Sequence, residues 1–329
     1  PKGIMLTHGN IGSNAKALKD AWGFHNDDIL LHSLPIYHVH GLFVALGCVF
    51  LSGSKIIWTE SFDADQAIEL LPRCTVMMGV PTYYTRLVAS KDLDKSCVSN
   101  MRLFISGSAP LLEDTFIQFY KKTNHHILER YGMTETNIIC SNPVDGRRKP
   151  ETVGMPLKDI NLRIVDDSFN ALEIGEIGHI QVRGPNVFNS YWNLPKKTKE
   201  DFTSDNYFNT GDKGFIDKDG YLSIVGRTKD MIISGGLNVY PKEVESLIDG
   251  YEEVEESAVI GLVDKDLGES VTAIVVLNTN FYLSEDDIIF RLKKDIAGFK
   301  VPKKVIFVDD LPRNAMGKVQ KNILRNLYA

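Results

Sequence analysis

The chain has 329 residues, 43% of them hydrophobic, and a formal net charge of −6 from 43 acidic and 37 basic side chains. That length predicts about two domains with packed cores, while the acidic balance and the lack of a long basic run exclude a nucleic-acid binder. Cys48, Cys74, Cys97 and Cys140 lie far apart without a C-x-x-C pair, so a zinc site and a disulfide scaffold are both excluded and a reducing compartment is expected.

In chain order, Thr7, His8 and Asn10 of "PKGIMLTHGN" read as a helix start. The apolar run over residues 41–51 falls short of the ~20 residues that a membrane span needs, so no transmembrane segment is expected. "KIIWT", "TVMMGVP" and "MRLFISGS" read as buried strands and Leu112–Thr123 as a helix, an alternation that predicts an α/β layer with a mainly parallel sheet. From about 160 to 226, "NLRIVDD", "GEIGHIQVRG" and "GYLSIVG" are short strands between Gly and Asp turns, predicting a small β-barrel or sandwich. Beyond "GRTKD", Pro241 suits a first helical turn, with Val244, Leu247 and Ile248 on one face. "SAVIGL", "VTAIVVL" and "KVIFV" are strands. Ser284 caps a helix carrying Ile288, Ile289, Leu292 and Ile296, stopped by Gly298. This last part reads as a small α+β domain.

Four stretches carry chemistry. Asp212 beside Gly211 has the type and setting of a carboxylate that accepts both ribose hydroxyls, and Arg227 suits a phosphate or the same sugar; the plain alternative is a turn Asp and a surface Arg. In "ERYGMTETN", Tyr131 before Gly132 offers a ring to a purine, and Thr134 with Glu135 supplies hard oxygens suited to Mg²⁺; the alternative is a core aromatic and a helix cap. Ser108, Ala109 and Pro110 of "SGSAP" form a small-residue turn that lets backbone approach a flat ligand. Lys318, after Gly317 in "LPRNAMGKVQKN", is placed to stabilise charge on a phosphoryl group, or is a solvated surface lysine.

The order of these stretches resembles the adenylate-forming superfamily of acyl-CoA synthetases, luciferases and peptide-synthetase adenylation domains, over the whole chain. The resemblance implies an AMP-binding domain at 1–227, with the β subdomain at about 160–226, and a mobile C-terminal domain at 228–329. It implies that "PKG" ends a phosphate loop, with Lys2 its cation, and hence that the chain is an N-terminally incomplete fragment. It assigns adenine to Tyr131, Gly132 and the Ser108-Ala109-Pro110 turn, the ribose to Asp212, and the nucleotide to Arg227. Thr134 and Glu135 would organise Mg²⁺ and Lys318 would drive adenylation. Lys229 would be the hinge, and Gly236 would leave room for the pantetheine arm of CoA.

Within the superfamily, "LPIYHVHGLF", "ERYGMTETN", "SYWNLPKKTKEDF" and "GGLNVYPKEVESLID" are similar to malonyl-CoA synthetases. ATP, Mg²⁺, coenzyme A and a small carboxylic acid are the implied cofactor and substrates. A second carboxylate demands a cation or several donors: Arg102 and the His38/His40 pair are the candidates, with strand support as the alternative for Arg102. A ligase of different acid or carrier-protein acceptor, and an inactive nucleotide-binding fragment, are the other readings. The expected location is the cytoplasm, or the mitochondrial matrix.

Overall fold

The structure, a computed structural model, describes residues 2–314 and 317–329. Pro1 of "PKG", and Ala315 and Met316 of "LPRNAMGK", lie outside them. The chain forms two compact units. The first runs to Thr210 and takes in Gly214–Ile224, and the second comprises Gly211–Lys213 and Val225–Ala329.

The first unit contains a seven-stranded sheet in the order Lys55–Trp58, Ile29–His32, Val76–Gly79, Leu103–Ser106, Leu128–Met133, Asn137–Ser141, Met155–Pro156. Neighbours among the first five are parallel, and the last two strands run antiparallel. Every residue of Val76–Gly79 and Leu103–Ser106 is buried, as a parallel strand covered on both faces requires. "KIIWT" is different from its reading: it forms the sheet edge, and Trp58 is 50% exposed. From Ile29–His32 the chain goes first to one side and then crosses to the other, so the strand order reverses there. Open α/β sheets collect ligands at the carboxyl ends of strands beside such a reversal.

Local rules set the helices. Thr7 and Asn10 close a capping box that opens His8–Ala21. Pro81 occupies the first position of Pro81–Ala89, where its missing N–H costs nothing. Leu112 is the extended cap of Glu113–Thr123, and Asn124, at φ 63°, ends it. Leu31, Met77, Tyr84, Phe104 and Phe119 form the core beneath.

The short strands after residue 160 form a four-stranded sheet ordered Leu222–Arg227, Phe208–Ile216, Gly178–Arg183, Asn161–Val165. It has two open ends, which corrects the barrel expectation. Four strands are too few to close around a packed interior. Its apolar side packs on Ile139, Phe188 and Tyr191 instead.

In the second unit, Val254–Asp264 and Gly268–Leu277 form a long antiparallel hairpin, and Lys304–Phe307 runs parallel to the latter. The small hairpin Ile232–Ser234/Leu237–Val239 joins the same sheet. Helices Pro241–Ile248 and Glu285–Asp295 bury Val244, Ile248, Ile288 and Leu292 against it. Ser284 closes a capping box as its sequence predicts, but the helix stops at Asp295 because Ile296 is already extended. Among the described residues, no helix is long and apolar enough to cross a membrane.

Candidate active site

"ERYGMTETN" forms neither a loop nor a helix cap but a β-hairpin, with Thr134–Thr136 at its tip. Gly132 is obligatory there, since a Cβ would lie 1.9 Å from the Asn137 carbonyl oxygen. Asn137 turns the chain at φ 49°. The Phe188 N–H donates to the Glu135 carbonyl at 2.7 Å, and Asn186 Nδ2 donates to the Thr136 carbonyl at 2.7 Å. Glu135 is thereby fixed, with 7% of its surface exposed.

Lys2 reaches this tip because Ile4–Met5 pairs with Ser190–Tyr191. Its Nζ donates to the Tyr191 hydroxyl at 2.8 Å and lies 3.7 Å from Glu135 Oε1. The same hydroxyl lies 3.2 Å from Glu135 Oε1 and 3.1 Å from Asp201 Oδ2. Burial, and then the Glu135 and Asp201 charges, push the Tyr191 pKa up, so it stays a phenol. Tyr191 escaped the sequence reading. Its position in "SYWN" contributes only to the family likeness, and nothing local marks it as the link between Lys2 and Glu135. The carboxylate of Glu135 beside the Thr134 hydroxyl is a hard-oxygen donor set of the kind Mg²⁺ takes.

At the carboxyl end of Leu103–Ser106, Ser108 takes a left-handed φ of 75°. Ser108 and Ala109 are half-buried and Pro110 is exposed. Tyr131, 8% exposed, packs with Ile139 and Cys140. Ser108 Oγ lies 3.2 Å from His40 Nδ1, and the His40 N–H donates to His38 Nδ1 at 3.1 Å. That bond makes His38 Nδ1 an acceptor, so its ring proton sits on Nε2. Burial, then the Arg130 charge, lower the pKa of both His38 and His40, and burial lowers His32 to about 4. The three imidazoles are neutral at pH 7.

The cation among them is Arg130, which the sequence reading passed over. It is 5% exposed, and burial lowers its pKa to about 9, which still leaves it charged at pH 7. Its guanidinium lies so close to the Ser106–Ser108 turn that a Cβ on Gly107 would be 2.5 Å from Cζ. Arg130 Nε and Nη2, Ser106 Oγ and His40 Nε2 are buried without a hydrogen-bond partner among the described residues. A buried guanidinium with unmatched donors is costly, and a carboxylate has the matching acceptors.

Arg102 is engaged elsewhere. Nε donates to Asp28 Oδ1 at 2.7 Å and Nη2 to Asp28 Oδ2 at 2.6 Å. Nη1 donates to the Trp22 carbonyl at 3.0 Å and Nη2 to that of Gly23 at 3.2 Å. This geometry favours strand support over substrate contact.

In the second unit, Asp212 is 4% exposed and Arg227 Nε lies 3.1 Å from its Oδ1. Lys318 is an exposed residue whose ammonium is partly desolvated. That desolvation, and then the Arg227 charge, lower its pKa, while Asp212 and Asp230 pull it up. The three chemistry-bearing residues of this unit thus share one electrostatic neighbourhood. Lys229 is exposed in the 3₁₀ turn Thr228–Asp230. Gly235 and Gly236, at φ 57° and 77°, form the two-residue turn of the small hairpin, a conformation that glycine meets without strain. A Cβ on Gly236 would meet nothing within 4 Å.

A family model of AMP-binding enzymes matches residues 1–192, and one of the AMP-binding enzyme C-terminal domain matches residues 243–318. Malonate–CoA ligase of Arabidopsis thaliana is 38% identical, over 99% of this chain and 58% of its own length. The mitochondrial malonate–CoA ligase ACSF3 of Bos taurus is 36% identical, over 100% of this chain and 62% of its own. The crystal structure of ATP-bound MatB from Rhodopseudomonas palustris aligns with a TM-score of 0.98 at 53% identity, covering 99% of this chain and 65% of that one. The chain spans about three fifths of the length of these two curated relatives.

Proposed function

Because the chain belongs to the AMP-binding enzyme family, we propose for it the activity of an AMP-forming acid–CoA ligase whose acid is malonate or a close dicarboxylate. The observation that carries the choice of acid is Arg130: a buried cation with two unmatched donors beside the neutral His38 and His40. One carboxylate of the acid reacts. The other needs a partner, and Arg130 with Ser106 Oγ offers one. The names of the relatives in plants and cattle agree with this reading.

In the first step the free carboxylate attacks the α-phosphorus of ATP and pyrophosphate leaves. In the second, the CoA thiol attacks the acyl carbon and AMP leaves. Neither step needs an enzyme nucleophile, so the residues work by positioning and charge. We assign Lys2 to the outer phosphates and the Ser108-Ala109-Pro110 turn with Tyr131 and Gly132 to adenine. Asp212, oriented by Arg227, accepts from the ribose hydroxyls. Lys318 meets the charge that grows during adenylation. Thr134 and Glu135 are the residues that would hold Mg²⁺, which neutralises phosphate charge when bound. His38 walls the acyl pocket, Lys229 is the hinge between domains 1–227 and 228–329, and Gly236 serves the thiol step. The four cysteines are all free, in keeping with the cytoplasm or the mitochondrial matrix.

The test is acid-dependent pyrophosphate release by the whole protein with malonate, methylmalonate, succinate and acetate, followed by thioester formation with CoA. Malonate should lead by kcat/KM. A preference for acetate would refute the dicarboxylate assignment. Adenylate formation without CoA thioester would refute CoA as the acceptor.

A further inference from the structure

Arg313 ties the loop that carries Lys318 to the neighbouring sheet. Arg313 and Val319 form a bridge across its base, and the Gln320 N–H donates to the Pro312 carbonyl at 2.7 Å. Inside it, the Asn314 N–H donates to the Lys318 carbonyl at 3.0 Å, and the Lys318 N–H returns a bond to Asn314 Oδ1 at 3.0 Å. Gly317 takes the left-handed φ of 72° that this return requires. Arg313 then spans the loop. Its Nη1 donates to the Gly317 carbonyl at 2.6 Å, and its Nη2 pairs with Glu256. Glu256 sits on the long hairpin, opposite Val276.

We infer that Arg313 is a positioning residue for Lys318: its guanidinium ties the carbonyl just before the lysine to Glu256 on the sheet and so fixes where the ammonium is presented. The planar fork suits this task, because two N–H groups of one rigid plane serve a carbonyl and a carboxylate at once. The Arg313 and Glu256 side chains are 28% and 21% exposed, and that exposure screens part of what the pair adds to stability. A lysine on a glycine-turned loop, by contrast, has a long side chain whose reach depends on the backbone beneath it. Displacement of a catalytic group by about 1 Å costs on the order of 10²-fold in rate.

The inference rests on the assignment of Lys318 to adenylation, and the experiment separates the two. Arg313→Ala, Glu256→Gln and Lys318→Ala are compared in the whole protein by three measurements: malonate-dependent ATP–pyrophosphate exchange, thioester formation from preformed malonyl-adenylate and CoA, and amide hydrogen exchange across residues 313–320. For Arg313→Ala we expect exchange activity to fall about 10- to 100-fold. Its thioester formation should stay within about twofold, since only adenylation uses the ammonium. The Asn314 and Lys318 amides should exchange faster. Glu256→Gln should give the same pattern more weakly, and it serves if Arg313→Ala fails to fold. Wild-type adenylation in Arg313→Ala while Lys318→Ala loses about 10²–10³ would overturn the inference. So would equal loss of both half-reactions. Full exchange activity in Lys318→Ala would instead refute the role of Lys318, and amide exchange would then decide alone whether Arg313 orders the loop.

Discussion

Arg102 closes on Asp28 with a two-point contact, Nε to Oδ1 at 2.7 Å and Nη2 to Oδ2 at 2.6 Å, the geometry of an arginine that supports a strand. Asp28 is wholly buried. Burial alone would raise its pKa, but the Arg102 hydrogen bonds, the His25 N–H and the Thr75 hydroxyl outweigh that and hold it below the usual 3.8. A carboxyl depressed on folding adds stability above its unfolded pKa, and that stability is lost as pH falls through the folded one. Arg102→Ala should therefore destabilise by about 3 kcal/mol at pH 7, the low end of the cost of stranding a buried charge, because Arg102 is 28% exposed. It should also flatten the acid limb of stability below about pH 4. Urea melts at pH 3, 5 and 7 read both effects, and acetate and malonate activities should fall in parallel.

Tyr191 joins Lys2 to Glu135, and a phenylalanine there removes the shared hydroxyl while keeping the ring. Leaving Glu135 Oε1 without that donor should cost about 1–2 kcal/mol of stability. The affinity for ATP should fall, because the phosphate-side lysine loses its 2.8 Å anchor. Equilibrium binding of ATP to Tyr191→Phe checks this. Wild-type affinity would mean that Lys2 is positioned by the strand pair alone.

Gly236 needs a two-way comparison, since any side chain there meets a left-handed backbone at φ 77°. A leucine should cost roughly 1–2 kcal/mol for the backbone, whereas an asparagine tolerates that region. If bulk matters to the thiol step, Gly236→Leu should lose thioester formation and keep ATP–pyrophosphate exchange within about twofold. Equal behaviour of the Leu and Asn variants in the thiol step would remove Gly236 from it.

The local rules of the chain were legible. Thr7, Pro241 and Ser284 start helices where capping chemistry says they should. So were the texture changes near residues 160 and 230. What composition and spacing could not rank was one arginine against another. Arg102 and Arg130 are both arginines next to apolar strands, and only the tertiary fold brings Asp28 to the first and leaves the second unmatched. Nothing in "ERYG" singles out its Arg until the Ser106–Ser108 turn is laid against it. That the β region stays open was equally invisible, because strand pattern alone does not decide whether a sheet closes.

We propose that Arg130 is kept for a ligand and not for the fold, and Arg130→Met tests this most directly. An unmatched buried charge replaced by a thioether of similar reach should leave the unliganded protein at least as stable, since well-packed apolar substitutes for buried ions are often neutral or stabilising. Selectivity should collapse: kcat/KM for malonate should fall at least about 30-fold relative to acetate, the low end of 2–5 kcal/mol for a truncated buried charge pair. The decisive measurement is that ratio together with the melting temperature without ligand. A melting temperature held or raised, with malonate preference lost, is the expected result. A lowered melting temperature with malonate and acetate reduced alike would show that Arg130 serves the fold instead.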